Sequence, residues 1–237
     1  MIKRVVLSIF LFAFSLNSKC QIYNQKIVYC FNYSIVNNGQ CSNGKLLLAC
    51  FGKLWPIKEQ KQYSILWTTN EKELLEKIGS TGVIEENNRI WLHPPRQGEF
   101  KILEYSPFPE IVFPINGNQQ WFRELSLSKY WENKEYNLKG TDILKFVYEY
   151  RGSKKIRLIF NNGDVDCSEI YATSMNLESR TSFSGLYCKK YGFVKMEFEN
   201  VDKSKIILEL ENVLSLDVAI KKINEAGLFQ DFYKQYY

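Results

Sequence analysis

The feature that most constrains this chain is the alternation of apolar and polar side chains along most of its length. Alternation over several residues is typical of a strand with one buried face and one solvated face, which is the pattern of antiparallel sheets. The clearest segments begin at Ile27, Leu144, Ile156, Val194 and Ile206. The chain is therefore predicted to be mostly β, and residues 151–154 and 162–164 are predicted to be turns between strands.

Only two segments have the spacing of a helix. Asn70 precedes a short apolar stripe centred on Leu74, which predicts a capped two-turn helix that ends near Gly79. Ser215 precedes a second stripe, which predicts a C-terminal helix that stops at Gly227, and apolar residues then continue as far as Tyr236. We expect one curved antiparallel sheet, or half-barrel, that wraps around one of these helices.

The N-terminus is predicted to be a secretory signal peptide covering residues 1–20. Lys3 and Arg4 precede an uncharged apolar run that is short for a membrane span, and Ser18 and Cys20 are small residues before a cleavage site at Gln21. The mature chain, residues 21–237, is then one β-rich domain in the periplasm or outside the cell. The alternative is a lipoprotein that is acylated at Cys20, although Lys19 is poorly suited to such a signal.

The mature chain is nearly neutral. The whole sequence has 31 basic and 26 acidic residues, and removal of Lys3, Arg4 and Lys19 with the signal leaves 28 against 26, a net charge of +2. Nucleic-acid binding is therefore not expected, because it normally needs a strongly basic surface. No transmembrane segment is expected after the signal is removed.

Residues 90–121 form the most unusual stretch of the sequence. It contains Pro94, Pro95 and three further prolines, two of the five tryptophans and the only histidine. Proline cannot donate a ladder hydrogen bond, so the stretch cannot be one central strand. We expect a strand at Trp91, a rigid crossing at the proline pair, a second strand at residues 101–105 and then an extended edge segment.

This stretch is also where we place the candidate ligand-binding residues, Trp91, His93, Arg96 and Trp121. In this interpretation Trp91 and Trp121 anchor the two ends of the stretch in the core, while Arg96 and Glu110 face water. The aromatic side chains fill the core or supply stacking platforms for sugars.

His93 is the residue through which any Ser-His-Asp or Cys-His chemistry would have to pass. No Gly-x-Ser-x-Gly motif accompanies it, so a structural histidine at the end of a strand is the preferred interpretation. No metal site or cofactor is expected, because a second histidine is lacking. Residues 161–166 gather oxygen ligands without the closing glutamate of a calcium loop, and an Asn-Gly hairpin turn explains them.

Five cysteines follow the signal, and an odd number leaves at least one of them free. A hairpin that turns at residues 176–179 places Cys167 opposite Cys188, which predicts a disulfide between neighbouring strands. A loop at residues 37–44 would likewise place Cys30 opposite Cys50 and leave Cys41 free. Buried free thiols are the alternative for each pair.

Two blocks of the sequence carry a resemblance. Residues 90–96, Ile-Trp-Leu-His-Pro-Pro-Arg, and the Pro-Phe-Pro segment after them resemble a group of uncharacterised exported proteins from Gram-negative bacteria. Residues 163–167, 191–198 and 205–210 are similar to the same group and to the broader TapB-like β proteins. The resemblance implies a curved antiparallel sheet exported beyond the inner membrane, and it supplies no catalytic residue.

These observations favour an exported, non-enzymatic β module that binds an apolar small molecule or a protein partner in the cell envelope. One alternative is a hydrolase centred on His93, in which a carboxylate and a hydroxyl or thiol lie within reach of the ring. The other is a carbohydrate-binding or structural envelope protein.

Overall fold

The structure is a computed structural model that describes residues 22–54, 62–225, 227 and 228. Within these residues the chain forms one 12-stranded antiparallel sheet, which confirms the predicted fold class. The strands are β1 (Ile27–Asn37), β2 (Gln40–Leu54), β3 (Tyr63–Thr68), β4 (Thr81–Glu85), β5 (Arg89–Leu92), β6 (Glu110–Val112), β7 (Gln120–Ser126), β8 (Ile143–Arg157), β9 (Asp164–Ser174), β10 (Ser182–Cys188), β11 (Gly192–Glu199) and β12 (Lys205–Ser215). The helices are α1 (Glu73–Glu76), α2 (Leu216–Glu225) and the 3₁₀ helices Gly98–Tyr105 and Lys129–Trp131.

The strand order shows why the sheet must curl. The chain runs outward from β1 to the edge strand β6, crosses to the other edge at β7 and returns through β12 to the side of β1. A flat sheet of 12 strands would hold its two edges roughly 50 Å apart at about 4.8 Å per strand. The seven residues 113–119 that join the edges reach at most about 30 Å. The sheet therefore bends into a half-barrel that brings β6 and β7 together.

Alternation along the strands divides the core between the two faces of this sheet. Tyr29, Phe31 and their counterparts on the other strands point inward and form the main core together with the 3₁₀ helix Gly98–Tyr105. Val28 and Cys30, one position out of step, point to the outer face. The first three strands are thus buried on both faces, because helices cover their outer side.

The helices occupy a different place from the one expected. Leu74 of α1 and Ala219 of α2 pack on the outer face of β1, β2 and β3, so the sheet does not wrap around either helix. The element on its inner side is the 3₁₀ helix, through Phe100, Leu103 and Tyr105. Helix α1 has one turn instead of two, and α2 begins as predicted, with the Val218 N–H donating to Ser215 Oγ at 3.3 Å.

The predicted disulfide between Cys167 and Cys188 is present. These residues are direct partners in the antiparallel pair of β9 and β10, with their Cα atoms 4.3 Å apart. The hairpin pairs Ser182 with Thr173, so the register deduced from the turn holds along its whole length.

The predicted disulfide between Cys30 and Cys50 is wrong, since both residues are free and buried. The turn between β1 and β2 consists of the two residues Asn38 and Gly39, both with positive φ. It replaces the predicted loop at residues 37–44. This tight turn pairs Cys30 with Leu47. Cys30 therefore faces the outer helices while Cys50 faces the main core, and the two thiols lie on opposite sides of the sheet.

Three details of the proline-rich stretch also differ from expectation. Residues 101–105 belong to a 3₁₀ helix instead of a second strand, because the chain turns inward after Gly98, which has a φ of 57°. Glu110 is fully buried instead of facing water. Trp91 is half-buried, whereas Trp121 is buried as predicted. The edge segment itself is confirmed as the short strand β6.

The turn predicted at residues 151–154 does not form. Strand β8 continues through it, with a bulge between Tyr150 and Gly152 where the register with β9 shifts. Gly152 has a φ of 120°, a conformation that other residues rarely adopt, which explains why a glycine occurs inside this strand.

Two predictions fall outside the described residues. They are the signal peptide with Cys20 and Gln21, and the apolar stripe from residue 229 to Tyr236. Within residues 22–54, 62–225, 227 and 228, no helix combines the length and apolar character needed to cross a bilayer.

The disulfide should contribute measurably to stability. The double variant Cys167→Ala/Cys188→Ala should lose about 3 kcal/mol of unfolding free energy, because the unfolded chain then regains the freedom of a 21-residue loop. Urea unfolding under oxidising conditions measures this loss. The exposed free Cys41 provides the control, and Cys41→Ser should change stability by less than about 0.5 kcal/mol. Equal stabilities for the double variant and the wild type would contradict the prediction.

The two sheet edges should depend on one ion pair. Arg123 Nε of β7 donates to both carboxylate oxygens of the buried Glu110 of β6, at 2.8 and 2.7 Å. Arg123→Met should cost about 3 kcal/mol, because it leaves a buried carboxyl group without its partner. The neighbouring Glu124→Gln, which removes an exposed ion pair with Lys145, should cost less than about 1 kcal/mol. Similar urea midpoints for the two variants would show that the buried pair has no special role.

Candidate functional site

The candidate site is built by the segment that leaves the sheet between β5 and β6, residues 93–109, which we call the crossover segment. Prolines keep it out of the ladder, and side chains from distant strands hold its backbone carbonyls instead. Trp67 Nε1 donates to the His93 carbonyl at 2.8 Å, and Tyr148 OH donates to the Phe108 carbonyl at 2.8 Å. Since Trp67 is on β3 and Tyr148 on β8, these bonds fix both ends of the segment across the half-barrel.

A cleft of about 370 Å³ lies where the crossover segment and β5 face the end of β7 and the chain that follows it. We call it the seam cleft, after the seam at which the edge strands β6 and β7 meet. One wall carries Thr81, Trp91, His93, Arg96 and Glu104, and the other carries Leu125, Ser126, Ser128 and Trp131. The structure thus brings together three of the four predicted ligand-binding residues.

Trp121, the fourth predicted residue, lies outside the seam cleft. Its indole is buried and stacks on the ring of Tyr148, with centroids 5.3 Å apart and planes 14° apart. Trp121 lies on β7 and its partner Tyr148 lies on the neighbouring strand β8, at one side of the seam. Trp121 is therefore placed to support the edge strand, without lining the cleft.

His93 is buried and both of its ring nitrogens face acceptor oxygens. Nδ1 lies 2.7 Å from the Pro94 carbonyl, which can only accept, so Nδ1 carries the proton. Nε2 lies 3.4 Å from Glu104 Oε1. Burial lowers the pKa of His93 to about 4; the Pro94 carbonyl opposes this shift and the Arg96 charge adds to it. The ring is therefore neutral at pH 7, with its unprotonated nitrogen directed at Glu104.

Glu104 is one of the site residues that the sequence did not predict. Burial raises its pKa to about 7, and Arg96 opposes the shift with its Nε 3.1 Å from Glu104 Oε1. The guanidinium of Arg96 also lies over the Trp131 ring, 5.0 Å from its centroid. A strand at residues 101–105 would have directed Glu104 away from His93, so the signal was hidden by the wrong secondary structure.

Two polar atoms of the cleft wall lack hydrogen-bond partners among the described residues. They are Thr81 Oγ1 and Glu104 Oε1, and both atoms are buried. Arg96 Nε and His93 Nε2 lie 3.1 and 3.4 Å from Glu104 Oε1, but neither nitrogen is aligned with that oxygen for a hydrogen bond. Buried polar atoms in folded proteins are nearly always hydrogen-bonded, so these two are exceptions that need an explanation.

The arrangement around His93 differs from that of a catalytic triad. A general base needs a free nitrogen that reaches the hydroxyl to be deprotonated. The protonated Nδ1 faces a backbone carbonyl and Nε2 faces Glu104. In the described part of the chain, neither Ser126 nor Ser128 hydrogen-bonds to the ring, and no group of three or more His, Cys, Asp or Glu side chains is arranged to hold a metal ion.

Comparisons with known proteins give distant structural similarity only. No protein-family model matches the chain, and no curated protein matches it significantly. Similar solved structures include the hypothetical lipoprotein YmcC of Escherichia coli K12, at 11% identity and TM-score 0.35 over 78% of this chain and 86% of that one. Another is a predicted lipoprotein of Parabacteroides distasonis, at 12% identity and TM-score 0.43 over 81% and 96%.

A third similar structure is a predicted exported protein of Bacteroides fragilis with a YmcC-like fold, at 10% identity and TM-score 0.39 over 81% of this chain and 96% of that one. At such scores the likeness carries no argument about function. The resemblance to TapB-like β proteins stays a prediction.

The two titrating groups should give opposite pH dependences of stability. The pKa of His93 falls from 6.5 to about 4 on folding, so the unfolded chain binds more protons there and this residue makes stability rise between about pH 4 and 6.5. The pKa of Glu104 rises from 4.5 to about 7, so the folded chain binds more protons and this residue makes stability fall between about pH 4.5 and 7.

Single variants separate these contributions. Relative to the wild type, His93→Gln should lose stability as pH rises from 4.5 to 6.5, and Glu104→Gln should gain it, by up to about 1.4 kcal/mol per pH unit each. Urea unfolding at several pH values measures both slopes. Glu99→Gln, an exposed change on the same 3₁₀ helix, should follow the wild-type profile. Slopes of the same sign for the His93 and Glu104 variants would show that the pKa shifts are misassigned.

Proposed function

We propose that the chain is an exported, non-enzymatic module of the cell envelope that binds its ligand or partner at the seam cleft. The observation that carries the proposal is the packing inside the half-barrel. Large side chains occupy the space that an apolar ligand would need, among them Phe31, Trp67, Phe146, Phe183 and Phe198, all almost fully buried. Binding inside the curl, which the sequence left open, is therefore not supported, and a surface site is favoured.

Export is supported by the sequence and by one feature of the fold. The cross-strand disulfide Cys167–Cys188 is of a kind that persists in oxidising compartments.

A hydrolase centred on His93 is the second candidate, and one observation favours it. A histidine and a carboxyl group with a raised pKa stand side by side in an open cleft that also contains serines. The engagement of both ring nitrogens argues against this function. Because Nε2 faces Glu104, a serine hydroxyl would have to displace that residue before it could be deprotonated.

Site-specific photo-cross-linking in a Gram-negative host tests the proposal. A photoreactive residue at Ser128, an exposed position of the cleft wall, should cross-link to material of the cell envelope. The same residue at Met175, which is 57% exposed and lies in the β9–β10 hairpin outside the cleft, should not. Equal yields at both positions would contradict a site at the seam. Hydrolysis of ester probes that His93→Gln abolishes would instead support the hydrolase.

A further inference from the structure

The two unsatisfied polar atoms of the seam cleft indicate what the cleft binds. Thr81 and Glu104 are 1% and 5% exposed, and both side chains line the cleft. Thr81 Oγ1 can donate and accept, and a carboxyl oxygen of Glu104 accepts or, when protonated, donates. The described residues supply neither atom with a hydrogen-bond partner, so the protein alone leaves the polar groups of this wall incompletely satisfied.

We propose that the ligand of the seam cleft is a saccharide, an uncharged ring that carries several hydroxyl groups. The inference rests on the proposed function and assigns a ligand class to its site. In this complex ring hydroxyl groups hydrogen-bond to the polar wall that Thr81 and Glu104 help to form, and the terminal nitrogens of Arg96 donate to further ring oxygens.

The charges of the cleft exclude the simplest alternatives. An anionic ligand would have to compete with Glu104 for Arg96, whose Nε lies 3.1 Å from that carboxyl group. A cationic ligand that approached the Glu104 carboxyl group would be repelled by the positive charge of Arg96 beside it. An apolar ligand would strip water from the Arg96 guanidinium and from the hydroxyl groups of Ser126 and Ser128 without replacing its hydrogen bonds, which is unfavourable. A neutral ligand rich in hydroxyl groups avoids all three costs.

Aromatic rings complete the match to a saccharide. Trp91 and Trp131 are both half-buried and both line the cleft, so part of each indole is available to the apolar face of a sugar ring. Trp131 is held by the Arg96 guanidinium above it, and Trp91 by an edge contact with His93 and a tilted contact with Phe108. The volume of about 370 Å³ lies within the range of roughly 300–1,000 Å³ that is usual for small-molecule sites.

Titration of the exported full chain with a defined panel tests this inference. The probes are glucose, galactose, N-acetylglucosamine and their β-1,4-linked di- and trisaccharides, with an uncharged hexapeptide as the comparison. Binding is measured by calorimetry and by tryptophan fluorescence. At least one saccharide should bind in the micromolar to millimolar range, and the hexapeptide should not bind.

Variants then assign the binding to the cleft. Glu104→Gln and Trp131→Ala should each weaken the binding of that saccharide at least about tenfold. The matched controls are Glu99→Gln, on the same 3₁₀ helix, and Phe122→Ala, an aromatic residue of β7 that is 61% exposed and outside the cleft. Both should bind as the wild type does. Circular dichroism and urea unfolding of each variant show whether a loss of binding reflects a loss of fold.

The possible outcomes separate the ligand class from the site. No saccharide binding up to about 10 mM, or binding that the Glu104 and Trp131 variants leave unchanged, would overturn the inference. Binding of the hexapeptide alone, weakened by the same two variants, would also overturn it, yet would leave the proposed function in place. If the Ser128 cross-links are absent as well, the proposed function fails together with the ligand class.

Discussion

The fold depends on contact between two edge strands that share no backbone hydrogen bonds. The chain crosses from β6 to β7 in seven residues, so the two ends of a 12-stranded sheet must lie much closer together than in a flat sheet. The strand order contains no ladder between β6 and β7, and the side chains of Glu110 and Arg123 join the two strands instead. The buried Glu110 accepts two hydrogen bonds from Arg123, and burial raises the pKa of this carboxyl while the nearby guanidinium lowers it. A charge pair with one geometry can fix which positions of the two edges face each other, which apolar packing alone does less precisely.

The same closure explains why a cleft exists beside the seam. Along a regular strand the side chains alternate, so a polar group is either exposed on the outer face or excluded from the inner one. The crossover segment is freed from this rule because its prolines take it out of the ladder. It turns inward at Gly98 as a 3₁₀ helix and returns Glu104 to the neighbourhood of His93. A carboxyl group can thus be 5% exposed and still border a surface cleft.

What could be predicted from the sequence depended on how local the deciding interaction was. Alternation depends on each strand alone, and it gave the fold class and the inward faces of β1 and β8 correctly. The Cys167–Cys188 register followed from one hairpin turn. The predicted pairing of Cys30 with Cys50 is wrong because it requires a longer loop between β1 and β2. The Asn38-Gly39 pair is a strong sequence signal for the two-residue turn that the structure contains.

The candidate site could be anticipated only in part. Trp91, His93 and Arg96 were found because they are close together in the sequence, next to a proline pair. Trp131 and Ser128 were not found, since they enter the cleft from beyond β7 and only the closure of the half-barrel brings them there. Glu110 was misplaced for the same reason, because its partner Arg123 belongs to the opposite edge of the sheet. No periodicity within one strand reports on a contact of this kind.

The proton balance of His93 and Glu104 shows how the cleft can keep two ionisable groups at little cost. Between about pH 4.5 and 6.5 the unfolded chain holds one proton on the pair, on the histidine. The folded chain also holds one, but on Glu104, since burial raises the pKa of the acid to about 7 and lowers that of the base to about 4. Folding therefore moves the proton without binding or releasing it, and stability gains no net pH dependence from the pair. Both groups become neutral as they are buried, which avoids the large penalty for a buried charge. Arg96 remains charged, and its half-buried side chain keeps this charge at the edge of the cleft instead of in the core.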